Sequence, residues 1–92
     1  MAIVYEVTRF NSLSGNAASY QTFARAPAAA KALRQAVYDM LEANGLLDRP
    51  VAYRLINEAE SCEVSPPPRG HLRQQRIKLD EYNSVEFYAT RA

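Results

Sequence analysis

Residues 27–44 carry the only long helical pattern in the chain, and its apolar stripe sets what every other segment must do. Ala30, Leu33, Val37, Met40, Leu41 and Asn44 recur at the three- and four-residue spacing of one helical face. Lys31, Gln35, Asp39 and Glu42 fall on the opposite side. Pro27 suits the first helical position, where a missing N–H costs nothing, and the alanines after it have the best intrinsic propensity. Gly45 can take the left-handed conformation that ends a helix, with Leu46 or Leu47 folding back on the last turn. Pro50 prevents continuation. A helix of this length with a wide apolar stripe does not stand alone in water, so the remaining segments are expected to form a sheet that covers it.

The flanking segments supply such a sheet. Residues 2–10 alternate as a strand, with Ile3, Tyr5 and Val7 on one face and Val4, Glu6 and Thr8 on the other. Residues 11–16 form a turn cluster, and 19–25 alternate again, so the pair is expected to be a hairpin. After the helix, 51–58 are predicted to be a strand in which Val51, Tyr53 and Leu55 share a face. Three consecutive prolines, 66–68, then break regular structure. A strand through Ile77 and Leu79, a turn at 80–83 and a last strand through Val85, Phe87 and Ala89 complete the chain. The expectation is a single α+β domain over 1–92, with elements in the order β-β-α-β-β-β. Its sheet is mostly antiparallel, and one helix packs on one face. The uncovered face is expected to carry Glu6, Gln21, Arg54, Lys78 and Tyr88. Ninety-two residues, 48% of them hydrophobic and 23% charged, suffice for one core and argue against disorder.

No catalytic constellation emerges. His71 is alone beside the proline-rich turn, and Glu58, Glu60 and Glu63 have nothing nearby to raise a carboxyl pKa. Cys62 is the only cysteine, so no intrachain disulfide forms, and one His with one Cys does not make a structural zinc site. No cofactor, metal, signal peptide or membrane span is expected. The net charge of +1 excludes a global attraction for nucleic acid, leaving only a local patch. The candidate patch is Arg69, His71, Arg73, Arg76 and Lys78. The competing expectation pairs Arg73 and Arg76 with Glu58, Glu60 or Glu63 across a hairpin, an ordinary stabilising device. Tyr38 lies off the core stripe near Lys31, Arg34 and Glu42; it is either an interface anchor or a ring covering the helix flank. The tyrosines at 5, 20, 53, 82 and 88 are expected to serve the sheet. A base-stacking platform of the RNA-recognition type needs two helices behind its sheet, and one is visible.

Tyr5-Glu6-Val7, the run from Ala24 through Pro27 to Ala32, and the segment at Val51 together resemble small anti-CRISPR proteins of bacteriophages and mobile elements. The resemblance covers the first two-thirds of the chain. It implies a non-catalytic, stoichiometric inhibitor acting in the bacterial cytoplasm, which binds a CRISPR effector subunit and blocks DNA recognition. No family site residue carries over. The surface expected to meet a protein partner is Lys31, Arg34 and Tyr38 on the helix, together with Arg69, Arg73 and Arg76. The alternatives are a small nucleic-acid-binding accessory protein using the arm from Arg69 to Lys78, and a homo-oligomeric domain. The chain is expected to be a monomer or homodimer and not an enzyme.

Overall fold

The computed structural model describes residues 3–10 and 17–91. The expected turn at 11–16 and Ala2 lie outside these. The elements are β1 (Ile3–Phe10), β2 (Ala17–Phe23), α1 (Ala26–Ala43), α2 (Pro50–Ser61), β3 (Arg73–Lys78) and β4 (Ser84–Arg91). The four strands form one antiparallel sheet in the order β2-β1-β4-β3. The chain is a single α+β domain whose helices share one face of that sheet.

The second helix corrects the expected strand at 51–58, so the order is β-β-α-α-β-β, with two helices and four strands. The helical spacing is present in the sequence: Ala52, Leu55, Ile56 and Ala59 recur at i, i+3, i+4 and i+7. Ala52, Leu55 and Ala59 are buried and Ile56 is half-buried. The alternation of Val51, Tyr53 and Leu55 would bury Tyr53 in a strand, whereas Tyr53 is 79% exposed. Pro50 starts this helix rather than merely ending the previous one; it follows Arg49, held extended at φ −103° and ψ 156°. The acidic run is accordingly not a hairpin arm. Glu58 and Glu60 ride on the exposed side of α2, and Glu63 follows it.

Helix α1 forms close to where its pattern places it. Ala29, Leu33, Val37, Met40 and Leu41 are buried; Ala30 is half-buried and Asn44 exposed, so the buried stripe begins at Ala29 rather than Ala30 and ends at Leu41 rather than Asn44. Its C-terminus is a Schellman motif. Gly45 adopts φ 67°, its N–H reaches the Glu42 carbonyl at 3.0 Å, and the Leu46 N–H reaches the Leu41 carbonyl at 2.9 Å. Leu46 packs back on the core, as that motif favours, and Leu47 is left exposed.

One core lies between the layers. From the sheet come Tyr5, Val7, Ile77, Val85, Phe87 and Ala89, every second residue of their strands. Tyr5 and Phe87 lie on adjacent strands with ring centroids 6.3 Å apart and planes inclined by 26°. Burying a side chain such as Phe87 or Leu33 contributes about 1.5–3 kcal/mol. The uncovered sheet face carries Glu6, Lys78 and Tyr88, as expected, with Tyr20, Gln74, Arg76 and Glu86. Gln21 and Arg54 are not on it. Gln21 has the parity of Phe23 and faces the helices, and Arg54 belongs to α2.

Candidate interaction surface

Two grooves flank α1, one on each side. The first lies between α1 and α2 and has a volume of about 270 Å³. It is lined by Tyr38 of α1, Leu47 and Asp48 of the connection, and Ala52, Tyr53 and Ile56 of α2. The apolar stripe of α2 is narrow. Ala52 and Ala59 let the helices approach, and the larger Ile56 and Tyr53 spill over the seam. The Schellman turn directs Leu46 inward, so Leu47 emerges at the mouth of the same groove.

The chain exposes six large hydrophobic side chains among its described residues: Tyr20, Tyr38, Leu47, Tyr53, Leu72 and Tyr82. Three of the six, Tyr38, Leu47 and Tyr53, meet in this groove. Scattered exposed apolar residues need no explanation, whereas a cluster rimmed by polar residues is characteristic of interaction sites. The rim is mixed in charge. Arg34 lies one helical turn before Tyr38 and Glu42 one turn after it, Glu60 lies one turn after Ile56, and Asp48 lines the groove itself. Arg49, one turn before Tyr53, adds a second cation, and three carboxylates against two guanidinium groups leave the rim net negative, a poor seat for a phosphate backbone.

The second groove lies between α1 and β2 and has a volume of about 470 Å³. Its floor includes Gln21 and Phe23, and its wall is the flank of α1 that carries Ala28, Ala32 and Ala36, with Lys31, Gln35 and Asp39 above. Lys31 therefore lines a different groove from Tyr38, although both are exposed on the outer side of α1.

The arginines of the expected basic patch are dispersed. Arg69 is exposed in the turn that Gly70 closes at φ 81°. Arg73 points to the helix side of β3, where it pairs with Glu63 at 3.0 Å and donates from Nε to the Ser65 carbonyl at 2.7 Å and from Nη2 to the Pro66 carbonyl at 3.3 Å. It thereby fastens the proline segment to the sheet. Arg76 does not face the acidic run. It stands opposite Glu86 on the uncovered face and donates from Nε to Oε1 at 2.7 Å, with a second contact from Nη2. The expected pairing thus holds for Arg73 with Glu63 and is corrected for Arg76. The correction follows from α2: with the acidic run on a helix, the hairpin partner of β3 is β4. Arg73 and Arg76 also alternate to opposite faces of the sheet, so the arm from Arg69 to Lys78 is not one basic surface.

Among the described residues no group of three or more His, Cys, Asp or Glu is arranged to hold a metal ion. His71 is exposed. Cys62 is half-buried, and desolvation pushes its thiol above the usual range despite the opposing pull of Arg73, which disfavours the reactive thiolate. No described helix is long and apolar enough to cross a membrane.

Tyr53 is not legible as a surface residue while 51–58 reads as a strand, and Leu47 is not while either Leu46 or Leu47 could fold back on the last turn of α1. The signal for Tyr53 is the helical spacing of Ala52, Leu55, Ile56 and Ala59, which leaves it outside the buried stripe. No family model, characterised protein or solved structure matches the chain.

Proposed function

We propose that this chain is a non-catalytic protein-binding domain that meets its partner through the groove between α1 and α2. The observation that carries this is the convergence of Tyr38, Leu47 and Tyr53, three exposed large hydrophobic side chains, on one groove between two buried helix faces. Tyrosines with rigid rings and a polar tip are favoured anchors at interfaces, where a few such residues supply most of the affinity. The partner that suits this surface is a protein offering an apolar pocket to one or both rings, with polar groups to meet Arg34 and the surrounding carboxylates. Charge at this rim mainly tunes partner choice and association rate.

The finer proposal is an inhibitor of the anti-CRISPR kind that occupies a CRISPR effector subunit in a bacterial host. It rests on the sequence resemblance described above. Plating a targeted phage on hosts with active CRISPR systems, with and without the expressed protein, tests it. Rescue that disappears in Tyr38→Ala/Tyr53→Ala supports both levels of the proposal. Rescue that survives the double variant removes the groove as the binding surface. Failure to rescue in every system removes the inhibitor and leaves the binding domain to be judged by direct capture of its partner. The second reading, binding of nucleic acid through Arg69 to Lys78, predicts steep salt dependence and loss of binding on replacing Arg69 and Lys78. The separation of Arg73 and Arg76 onto opposite faces disfavours it.

A further inference from the structure

The two edges of the sheet are built differently. The β3 edge carries three cations, Arg73, Arg76 and Lys78, a common protection against edge-to-edge pairing. The β2 edge is seven residues, AASYQTF, without a single charge or proline. Strand β2 pairs with β1 on one side, and no described strand lies on the other. An uncharged edge of this length with exposed backbone donors and acceptors is a template for another strand.

We infer that β2 pairs antiparallel with β2 of a second copy of this chain, forming a two-fold dimer with a continuous eight-stranded sheet. The choice of a second copy follows from symmetry on α1. The regularly paired part of β2 is Ser19–Phe23, beyond the irregularity at Arg9/Phe10, and its midpoint is Gln21. A two-fold axis through Gln21 opposes Tyr20 to Thr22 and Ser19 to Phe23, and no register brings like charges together. The same groove that contains Gln21 contains Gln35, the midpoint of the ladder Lys31, Gln35, Asp39 along α1. The axis that makes Gln21 its own partner therefore brings Lys31 of each copy toward Asp39 of the other. The two α1 helices, each over its own β1, lie about three strand spacings apart, about 14 Å. A helix with its side chains is about 10–12 Å across, so a Lys–Asp pair can span the gap. The two grooves merge into one, floored by both Phe23 rings. Within one chain Gln35 Nε2 donates to Asp39 Oδ1 at 2.9 Å, which presents the carboxylate along this flank, while Lys31 has no ion pair to a described residue. A self-complementary patch of this kind is the signature of an isologous interface. It leaves Tyr38, Leu47 and Tyr53 on the other flank of α1, so the inference stands apart from the proposed function.

Sedimentation equilibrium from micromolar to millimolar protein tests the inference, with four chains: wild type, Lys31→Glu, Asp39→Lys and the swap Lys31→Glu/Asp39→Lys. Both substituted positions are exposed, and circular dichroism checks that folding is intact. The wild type should show mass rising toward twice 10.3 kDa. Each single reversal should weaken the dimer about tenfold or more by opposing like charges twice across the axis, and the swap should restore it. Amide exchange of Ser19–Phe23 should slow with protein concentration in the wild type. A wild type that stays monomeric at millimolar concentration overturns the inference. So does a dimer that is indifferent to both single reversals, or whose β2 amides exchange at the same rate in dilute and concentrated samples.

Discussion

Individual side chains in this domain differ sharply in what they contribute. Leu33 is fully buried in the middle of α1, and Leu33→Ala should cost about 2–5 kcal/mol through lost transfer energy and the cavity left behind. Gln35→Ala, on the exposed side and bonded only to Asp39, should cost little. Urea midpoints of the two variants check this, and equal losses would mean that the helix is out of phase. Arg76 and Glu86 make a less obvious case. Glu86 lies on the face no helix covers, yet it is only 6% exposed, while Arg76 beside it is open to solvent. Arg76→Ala would strand a shielded carboxylate without its guanidinium and should cost about 1–3 kcal/mol. Asp80 has the opposite character. It is exposed, and its carboxylate accepts from the Tyr82 N–H at 2.8 Å and from the Asn83 N–H at 2.9 Å, as well as from the Asn83 side chain. These bonds, led by that from Tyr82, hold its pKa below the usual carboxylate value. A folded-state pKa depressed in this way contributes stability that is present above the unfolded value of about 3.9 and is lost as pH falls through the folded one. Asp80→Ala should therefore be less stable than wild type near neutral pH, with the difference closing in strong acid. Denaturant melts across that range check the sign.

At the scale of elements, α2 decides most of the architecture. If 50–61 is a helix, Leu55→Ala should cost about 2–5 kcal/mol and Tyr53→Ala almost nothing, although a strand would bury both on one face. Thermal melts of the two variants separate the cases. The sequence made α1 legible because its stripe, its Pro27 start and its Gly45 stop all agree. The strands of the sheet were legible through alternation, and the central strand β4 in particular buries Val85, Phe87 and Ala89 as that alternation requires. Residues 51–58 supported two periods at once. Val51, Tyr53 and Leu55 alternate, while Ala52, Leu55, Ile56 and Ala59 follow a helix, and valine, tyrosine and isoleucine favour strands intrinsically. Tertiary packing decided between them: small alanines let α2 lie against α1 over β3, burying Leu55. The candidate surface inherits the same ambiguity. Tyr38 was legible as an exposed aromatic because its own helix was clear. Tyr53 became legible only with α2 in place, and Leu47 only with the Schellman turn that directs Leu46 inward. The pairing of Arg76 with Glu86 depends on which strands are neighbours, which local pattern does not state.

Over the whole molecule, two helices and four strands enclose one core and leave two kinds of surface. The uncovered sheet face is tied across by hydrogen bonds, from the Tyr20 hydroxyl to Glu6 at 2.8 Å, from Gln74 to the Tyr88 hydroxyl at 3.2 Å and from Arg76 to Glu86. Its polar groups largely satisfy one another. The helical face instead leaves Tyr38, Leu47 and Tyr53 without apolar cover, and a partner would supply it. Because these side chains support no core, removing them separates binding from stability. The most direct measurement is quantitative affinity capture from nuclease-treated bacterial lysate, comparing wild type with Tyr38→Ala/Tyr53→Ala at matched melting temperature. The wild type should retain a defined protein partner, and the double variant should lose it. Equal retention by both chains, or loss of all capture once nucleic acid is digested, would contradict a protein-binding role for the groove between α1 and α2.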